Sequence, residues 1–317
     1  MEVLLDIYRK CKTQAKQYNI NIACVLFDYL YSRIRFGFCG EDYFRNSTGY
    51  AMKNFQKKSF FSYQKWFKIM DIFNDKEYTH LLSNKVEFLN YFQDFITHSH
   101  IYPKNVSFEK FEKYVTSHPN LLMKPLDENQ GHGIERYIPS GNLKDDYNSL
   151  AQNNYFIEEK IQQHHKMNLG SQSVNTIRVY TILDGQGHAS ILKAVLRVGV
   201  GDSIIDNYHA GGVIYPINIE FGFVEGYGVS RVFGKKICIH PGTSQLMVGY
   251  KLPNWDILCS TMVKAAECIP QVRYIGWDVV ITEDGVDFIE ANHDADHALF
   301  EVIGSERLFY NRLLSFK

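Results

Sequence analysis

The sequence predicts an α+β protein, in which a helical N-terminal region precedes short strands joined by glycine-containing turns. Three observations support this prediction. Apolar residues recur at helical spacing over roughly the first eighty residues. From Asn120 to about Pro253 the pattern changes to short alternating segments with glycine turns. Residues 255–269 return to helical spacing, and two further alternating segments lie on either side of Gly285.

Length and composition exclude several protein classes. The chain has 317 residues, enough for a large core and two or three subdomains. A formal net charge of −1 with 22% charged residues gives no electrostatic case for nucleic-acid binding. Aromatic residues make up 15%, far more than a disordered chain carries. The six cysteines form no C-x-x-C pair, so we expect reduced thiols in a cytoplasmic protein.

The N-terminal region, residues 1–82, is expected to be helical because of its apolar periodicity. No cleavable signal peptide is expected, since the chain begins with an acidic residue after Met1. Residues 19–38 are hydrophobic and aromatic, and we expect a buried packing helix there. Peripheral contact with a membrane or a partner is the alternative. A membrane-spanning helix is not expected, because three charges interrupt the stretch: Asp28, Arg33 and Arg35.

Residues 83–165 are expected to form a second part that begins with helices. Ser83 is the expected N-cap of the first of them. Lys85 then lies just inside the helix start, where anions are favoured. Lys85 is therefore a candidate phosphate-binding cation, and a second helix is expected after Ser107.

A candidate phosphate-binding segment follows. The pattern of Leu121–Pro125 is typical of a strand, with Lys124 near its end. The loop after it contains Gly131 and Gly133. A lysine at a strand end supplies a point charge, and a glycine loop supplies backbone N–H donors. An ordinary hairpin turn is the alternative interpretation.

Residues 155–161 are typical of a strand that runs into a linker. The edge of such a strand would offer backbone groups to an adenine ring, and Gln163 or His164 would reach the ribose. The candidate nucleotide-binding residues of the strand are Glu158, Glu159, Lys160 and Ile161.

Residues 166–317 are expected to form a third part, around a sheet that carries long cations on one face. Alternation over residues 175–183 places Arg178 on this face, and the next strand adds Lys193 and Arg197. Burying such cations unpaired is costly, whereas convergence on a transferred phosphate would explain Arg178 and Arg197. A structural pair with an acid is the alternative for Lys193.

A glycine-ended loop, Asp206–Gly212, follows this sheet. We expect it to bring the Asn207 side chain to the γ-phosphate of a nucleotide. Backbone N–H groups of Gly211 and Gly212 would add hydrogen-bond donors there.

The last two strands are expected to form a hairpin around Glu283-Asp284-Gly285, with the glycine at a positive φ. Pairing centred on this loop places Asp278 opposite Glu290, and Asn292 falls on the same face. Two opposed carboxylates repel unless a cation lies between them, and an Asp, Glu and Asn set of oxygens suits Mg²⁺. A magnesium–nucleotide site is therefore predicted, with a solvent-facing hairpin of unrelated acids as the alternative. The same centring pairs Thr282 with Val286 and Val280 with Phe288.

Two histidines, His293 and His297, flank Asp294 and Asp296 after the hairpin. Such a cluster is an alternative candidate for zinc. No further pattern supports zinc binding, so we expect a helix-capping role for the aspartates or contact with an acceptor substrate.

Ordered along the chain, these pieces resemble the ATP-grasp superfamily of carboxylate ligases. The closer resemblance is to the sugar-transfer-associated ATP-grasp family, encoded among polysaccharide biosynthesis genes, and it covers about Phe36 to Ala298. This closer resemblance rests on Ser173–Arg178, Asp206–Gly212, His240-Pro241 and Ile275–Asp278. The superfamily pattern is matched by Lys85, by Lys124 with Gly131 and Gly133, by Glu158–Ile161, and by Asp278, Glu290 and Asn292. One departure is residues 293–297, where a small polar residue and a proline are expected after the Asn.

The resemblance implies an ATP-grasp fold, two α+β subdomains that clamp ATP, preceded here by the helical region. It implies ATP and Mg²⁺, or Mn²⁺, as cofactors. It further implies an amide-forming carboxylate–amine ligase that acts through an acyl phosphate and joins an amino acid to a sugar or polysaccharide precursor. The alternatives are a non-catalytic nucleotide-binding scaffold of a polysaccharide biosynthesis complex and an ATP-dependent kinase.

Overall fold

The structure is a computed structural model that describes residues 2–44, 49–126, 133–170, 173–201, 211–230, 232–295 and 309–317. The chain divides into two compact units, residues 1–74 with 296–317 and residues 75–295. The first unit is helical, and the second combines helices with two antiparallel sheets. The α+β class and the helical N-terminal region are thus confirmed. The three-part division at residues 82 and 165 stays a prediction.

The described part of the N-terminal unit consists of helices joined by loops. Asn21 caps the second helix by accepting a hydrogen bond from the Ala23 N–H at 2.8 Å, and Gly37 ends that helix at a φ of +73°. No helix among the described residues is long and apolar enough to cross a membrane. The helices are α1 (Glu2–Tyr18), α2 (Ile22–Phe36), α3 (Gly40–Phe44), α4 (Asn54–Ser59), α5 (Tyr63–Phe73) and a C-terminal helix (Phe309–Leu314).

On the inner side of α2, Lys57 neutralises the charge of Asp28. Asp28 Oδ2 accepts hydrogen bonds from Lys57 Nζ and from the Tyr43 hydroxyl, both at 2.6 Å. Lys57 is buried, which lysine tolerates only when its charge is matched. Burial and then the neighbouring Asp28 raise the pKa of Tyr43 well above its usual value. The inner face of α2 is therefore a packing face, whereas Phe27 and Ile34 on its outer face are exposed, so the expectation of a buried helix holds for one face only.

A four-stranded antiparallel sheet begins the second unit, in the order β1-β4-β2-β3. The helix expected after Ser107 is present as α8 (Phe108–Ser117), and Ser107 caps it through a hydrogen bond from the Lys110 N–H. Phe111, Leu121 and Ile157 are buried between the helices and this sheet. The strands are β1 (His100–Ile101), β2 (Leu121–Pro125), β3 (Glu135–Tyr137) and β4 (Tyr155–Glu159), and the helices are α6 (His80–Ser83), α7 (Lys85–Tyr91), α8 (Phe108–Ser117) and α9 (Leu143–Gln152).

Two local expectations are wrong in this sheet region. Ser83 is the last residue of α6, and Asn84 caps α7 by accepting from the N–H groups of Val86 and Glu87 at 3.0 and 3.2 Å. An Asx side chain at this position reaches the free N–H groups, so the cap moves by one residue while Lys85 stays at the helix start.

The second error concerns β4, which is an interior strand rather than an edge. β1 and β2 pair with it on its two sides. The N–H groups of Glu159 and Lys160 donate to the carbonyl oxygens of Ser99 and Asn120, both at 2.8 Å. β4 is therefore paired on both sides at Ile157 and Glu158, and the assignment of Glu158–Ile161 to the nucleotide stays a prediction.

The larger sheet has eight antiparallel strands, in the order β10-β9-β7-β6-β5-β11-β12, with β8 paired to β7. One face packs on α10 and α7 in the main core. Trp277 lies at its centre, with its Nε1 donating to Thr181 Oγ1 at 2.8 Å and its ring edge-to-face with Phe92. The elements are β5 (Thr176–Leu183), β6 (Ala189–Val198), β7 (Val213–Asn218), β8 (Phe223–Val224), β9 (Gly228–Ser230), β10 (Gly234–Ile237), α10 (Trp255–Glu267), β11 (Tyr274–Ile281) and β12 (Val286–Asn292).

The β11–β12 hairpin has a different register from the expected one near its turn. Ile281 pairs with Val286 and Val280 with Asp287, so the pairs Thr282–Val286 and Val280–Phe288 are wrong. The loop is one residue longer than expected, and Gly285 is not at a positive φ. A bulge between Asp278 and Val279 then shifts the ladder by one residue. Asp278 and Glu290 consequently do pair as predicted.

Candidate functional site

The candidate site residues of the central sheet share one face. Asp278 on β11 lies between Glu290 on β12 and Arg178 on β5. In the next row, Gly276 lies between Asn292 and Tyr180. Directly opposed residues, and residues two apart on a strand, project to the same side. The same rule places Arg197 and Lys193 on this face, because Arg197 is opposite Thr176 and Lys193 is opposite Tyr180.

Asp278 is held by two arginines. Arg178 binds it through two parallel hydrogen bonds, Nε to Oδ1 at 2.5 Å and one terminal nitrogen to Oδ2 at 2.7 Å. Arg197 reaches Oδ1 from β6 at 2.7 Å. Asp278 is only 1% exposed, so its charge would be costly without such partners. The planar guanidinium fork of arginine matches a carboxylate in this way, and lysine cannot.

The pKa values reflect this pairing. Burial favours the neutral form of Asp278, but Arg178 and Arg197 outweigh it and hold the pKa of Asp278 well below its usual range. Burial likewise opposes the charge of Arg178, and Asp278 outweighs it, so the pKa of Arg178 lies above its usual value. Asp278 and Arg178 are therefore charged at neutral pH.

Glu290 is the more open carboxylate of the pair. Desolvation by surrounding protein atoms and then the neighbouring charge of Asp278 raise the pKa of Glu290 to about 6. Its side chain nevertheless keeps 47% of its surface exposed, and solvent there screens part of this effect. Arg178 lies 4.0 Å away, and the Asn292 amide donates to Glu290 Oε1 at 3.4 Å.

The donor set fits a Mg²⁺ ion. Glu290 and the Asn292 carbonyl oxygen lie at the accessible side of the face, next to Asp278. Asp278 Oδ1 already accepts two hydrogen bonds, whereas Oδ2 accepts one from Arg178. Mg²⁺ in proteins is usually bound by one or two carboxylates and completes its octahedron with water and phosphate oxygens. The assignment of Asp278, Glu290 and Asn292 as its ligands stays a prediction.

Gly276 makes room for this arrangement. A Cβ atom at Gly276 would lie 2.4 Å from Ala295 Cβ and 3.5 Å from Arg178 Cδ. A side chain there would displace Ala295, whereas its distance to the Arg178 stem is an ordinary van der Waals contact. Arg197 is oriented separately, since its Nε donates to Thr176 Oγ1 at 2.8 Å.

The predicted phosphate lysines lie at the end of β2 in the smaller sheet. Lys124 forms an ion pair with Glu158 and lies 5.9 Å from the centre of the Phe156 ring. Lys85 Nζ donates to the Pro125 carbonyl oxygen at 2.7 Å. Both lysines are partly buried, so two cations are concentrated around the end of one strand.

A buried network joins the two sheets and was missed by sequence reasoning. His98 lies between Asp287 of β12, at 3.0 Å, and Glu158 of β4, at 3.7 Å. Asp287 also accepts from the N–H groups of Thr97 and His98 and from the Thr97 hydroxyl, at 2.8–3.0 Å. Burial opposes the charge of Asp287, and these partners outweigh it and lower its pKa. The available sequence signal is an acid, Asp287, within an otherwise largely apolar strand.

The glycine loops are described only in part. Gly133 has a φ of +72°, and a Cβ there would lie 2.9 Å from Pro125 Cγ, so the loop closes tightly against the Lys124 strand. Gly211 has a φ of +97°. Gly212 directly precedes β7, and Lys193 opposes Tyr180 within the sheet. Gly131 and Asn207 lie outside the described residues.

The linker residues expected near the ribose are engaged within the protein. Gln163 Oε1 accepts from the Asn175 N–H at 2.9 Å, and its Nε2 donates to the Ser173 carbonyl oxygen at 3.5 Å. His164 Nδ1 accepts from the Lys166 N–H at 3.1 Å, and Nε2 lies 3.4 Å from Glu283. A role at the ribose requires these contacts to open, and it stays a prediction.

The zinc alternative has no support from the part of the chain that the structure describes. The cluster of candidate metal ligands found there is His164, His165 and Glu283. Hydrogen bonds between the linker and the β11–β12 turn account for its geometry, because Glu283 accepts from the N–H and from the Nδ1 of His165 at 2.7 and 2.8 Å. Asp296 and His297 lie outside the described residues.

Solved structures of ATP-grasp enzymes are similar to this chain. They include the ATP-grasp ligase PsnB complexed with minimal precursor, Mg and ADP, at 14% identity and a TM-score of 0.46, which covers 77% of this chain and 61% of that one. A biotin carboxylase–ATP complex from Campylobacter jejuni has 14% identity and a TM-score of 0.46, covering 75% and 46%. A D-alanine–D-alanine ligase from Bacillus anthracis complexed with ATP has 12% identity and a TM-score of 0.41, covering 74% and 65%. The chain thus spans about three fifths of the length of the first of these structures.

No curated protein matches the sequence. The family model described as "Sugar-transfer associated ATP-grasp" matches residues 137–316, more than half of the chain. The chain therefore belongs to the sugar-transfer associated ATP-grasp family, and both the resemblance and the ATP-grasp fold are confirmed. The match includes the charged face of the central sheet.

Proposed function

We propose that this member of the sugar-transfer associated ATP-grasp family is an ATP-dependent ligase that forms an amide bond. The observation that carries the proposal is the charged face of the central sheet, where Arg178 and Arg197 meet on buried Asp278 beside the more open Glu290 and Asn292. Buried, fixed cations next to exposed oxygen ligands are what transfer of a phosphoryl group requires.

The arginines are pre-organised before a nucleotide binds. Asp278 holds Arg178 in two hydrogen bonds and Arg197 in a third contact, so neither guanidinium has to be ordered during the reaction. Fixed cations of this kind stabilise charge that develops on the transferred phosphoryl group. In this proposal both arginines contact the γ-phosphate, together with Asn207 and the Gly211 and Gly212 N–H groups.

The lysines of the smaller sheet would neutralise the remaining phosphates. Lys124 and Lys85 lie around the end of β2, and Glu158 holds Lys124 in place. A triphosphate carries more negative charge than these cations balance while Asp278 and Glu290 stay ionised. Mg²⁺ held by Glu290, Asn292 and Asp278 would supply the missing positive charge and orient the phosphates.

The proposed chemistry proceeds in two transfers. A carboxylate oxygen of the first substrate attacks the γ-phosphorus, ADP leaves, and an acyl phosphate forms on the substrate. The amine nitrogen of the second substrate then attacks the acyl carbon, inorganic phosphate leaves, and the nitrogen loses a proton. No side-chain nucleophile is required, since the protein supplies positioning and charge neutralisation. Association of the family with sugar transfer supports an amino acid and a sugar or polysaccharide precursor as substrates.

One observation favours a second candidate, a non-catalytic nucleotide-binding scaffold. Asp278 Oδ1 is already shared by two arginines, which weakens its capacity to bind a metal ion. A scaffold would bind the nucleotide at the same face and would not release ADP.

ADP release with pooled amino acids and amines, followed by mass spectrometry of the products, separates these candidates. The ligase predicts ADP release that requires Mg²⁺ and a product whose mass equals the sum of two substrates minus water. A product that gains a phosphoryl group would indicate a kinase. Nucleotide binding without ADP release across a broad panel would favour the scaffold and contradict the proposal.

A further inference from the structure

Helix α2 has a second apolar face, which is exposed on the N-terminal unit. Phe27 and Ile34 keep 75% and 85% of their surface accessible. At about 100° per residue, the exposed apolar residues of α2 lie within roughly 120° of its circumference. We call this face the outer strip, and it consists of Ala23, Cys24, Phe27, Leu30, Tyr31 and Ile34.

Arginines border the outer strip on both sides. Arg33 and Arg35 are exposed and lie on α2 at opposite margins of the strip. Single exposed apolar residues are common on protein surfaces, but a continuous strip bordered by cations is not. It is the pattern of a helix that lies in the interface of a membrane.

A basic pocket continues the strip at its C-terminal end. The pocket has a volume of about 640 Å³, and Ile34 and Arg35 line it from α2. Lys58, Phe67 and Lys68 line it from the following segment, together with a fourth cation, Lys65, and one acid, Asp71. Among the described residues, no carboxylate forms an ion pair with Arg35, Lys58 or Lys68. These three cations thus face a cavity that adjoins the exposed apolar surface.

The distribution of charge along the chain favours a partner with a negative charge. Residues 1–74 contain 12 basic and 6 acidic residues, a formal net charge of +6. The remaining residues contain 22 basic and 29 acidic residues, a net charge of −7. A negatively charged surface would attract the first segment and repel the second, which would orient the chain. A second copy of the unit would bring the same positive charge, so self-association through this face is disfavoured.

We propose that the N-terminal unit docks on an anionic phospholipid surface through the outer strip and the basic pocket. The strip inserts its apolar side chains at the boundary between headgroups and acyl chains, while Arg35, Lys58 and Lys68 contact lipid phosphates. The helix lies in the surface and does not cross it, because 15 residues span only about 22 Å against a hydrocarbon thickness of about 30 Å. Docking would hold the ligase beside membrane-attached substrates.

Sedimentation of the full chain with lipid vesicles tests this proposal. We expect binding to vesicles of phosphatidylcholine with about one third phosphatidylglycerol, and weak binding to phosphatidylcholine alone. Binding should fall as salt is raised, because counterions screen the attraction. A wild-type chain that does not sediment with the anionic vesicles at low salt would overturn the proposal.

Two sets of variants separate the apolar and the charged contributions. Phe27→Glu with Ile34→Glu places charges in the outer strip and should lower the vesicle partition coefficient more than tenfold. Lys58→Glu with Lys68→Glu should lower it at least tenfold as well, since each cation near an anionic surface contributes about fivefold. These substitutions replace exposed side chains, and circular dichroism will verify that each variant is folded.

Matched controls exist on the second unit. Phe221→Glu changes an exposed phenylalanine, and Lys110→Glu with Lys113→Glu reverses two exposed lysines on α8. These variants should sediment like the wild type. If they lose binding as strongly as the α2 and pocket variants, the attraction is general and the proposed surface is wrong. A dimer that forms without vesicles and is abolished by Ile34→Glu would assign the strip to self-association and also overturn the proposal.

The docking proposal and the proposed ligase activity fail independently. Vesicle binding needs neither ATP nor a substrate, and ADP release is measured without vesicles. A chain that releases ADP but does not bind vesicles would contradict only the docking surface.

Discussion

Asp278 and Asp287 lie on the same hairpin and are equally buried, but their charges are neutralised in different ways. Asp278 is held by the ends of two long side chains that reach it from β5 and β6. Asp287 is held by donors from two consecutive residues, Thr97 and His98, and two of them are backbone N–H groups. The backbone donors of Asp287 are fixed by the fold, whereas the arginines of Asp278 are side chains, and Arg178 lies 4.0 Å from the accessible Glu290. We therefore expect Asp287 to act as a structural anchor, whereas Asp278 is part of the proposed site.

Among the substitutions that test this comparison, replacement of Arg178 should have the largest effect, and the effect should be on kcat. If its guanidinium meets the charge that develops in phosphoryl transfer, Arg178→Ala should lower kcat about 10³-fold and change ATP affinity much less. The measurements are ADP formation under saturating ATP and the melting temperature of the same preparation. Arg273, whose side chain donates to the Leu183 carbonyl oxygen, supplies the control. Arg273→Ala should lower stability and leave kcat of the folded protein unchanged; normal turnover in Arg178→Ala would remove Arg178 from the site.

Replacing Asp287 should, in contrast, mainly lower the stability of the protein. Asp287→Asn removes the charge that accepts four hydrogen bonds, so we expect the free energy of unfolding to fall by about 3 kcal/mol. Chemical denaturation measures this change. Glu283, an exposed acid on the same hairpin that pairs with His165, is the control, and Glu283→Gln should leave the denaturation midpoint nearly unchanged. Equal effects of the two substitutions would contradict the anchor assignment.

The phosphate lysine should show an intermediate effect. Lys124→Ala removes a charge-assisted contact, so Mg–ATP binding should weaken about tenfold by calorimetry. Lys113→Ala, an exposed lysine of α8, controls for the change in net charge. Unchanged ATP affinity in Lys124→Ala would locate the phosphates elsewhere.

The smallest effect concerns the pH dependence of stability. The pKa of Asp287 is lowered in the folded protein, so its contribution to stability is present above the unfolded pKa, about 3.9, and is lost as the pH falls through the folded value. The stability difference between wild type and Asp287→Asn should therefore be constant near neutral pH and shrink below about pH 4. Denaturation at a series of pH values measures it. A difference that stays constant down to the lowest pH would show that the Asp287 charge contributes no stability.

Much of the fold followed from local patterns. Helical spacing in the N-terminal region, the strand around Lys124 and the alternation that placed Arg178 and Arg197 on one face are short-range signals. The pairing of Asp278 with Glu290 was also predicted, although the structure reaches it through a bulge and a longer turn. The longer turn and the bulge each shift the register by one residue, and the two shifts cancel at Asp278. The pair was therefore predicted correctly although the turn was not.

The remaining features depend on contacts between distant segments. His98 and Asp287 are 189 residues apart, and no local pattern indicates that they meet. The interior position of β4 depends on pairing with the two-residue strand β1, which is too short to produce a periodic signal. The direct pairing of Asp278 with both arginines was likewise not predicted, because alternation assigns a face and not a partner.

The central claim is that Glu290 binds Mg²⁺ for phosphoryl transfer. Measuring Mg²⁺-dependent ADP release by Glu290→Gln tests it most directly. Glu290 is half exposed and contacts Arg178 only at 4.0 Å, so the variant should keep the wild-type melting temperature. Glu220→Gln, at an exposed position outside the charged face, is the matched control and should release ADP like the wild type. The account predicts that Glu290→Gln loses Mg²⁺-dependent ADP release while it stays folded. Full activity in Glu290→Gln at the same Mg²⁺ concentration would contradict it.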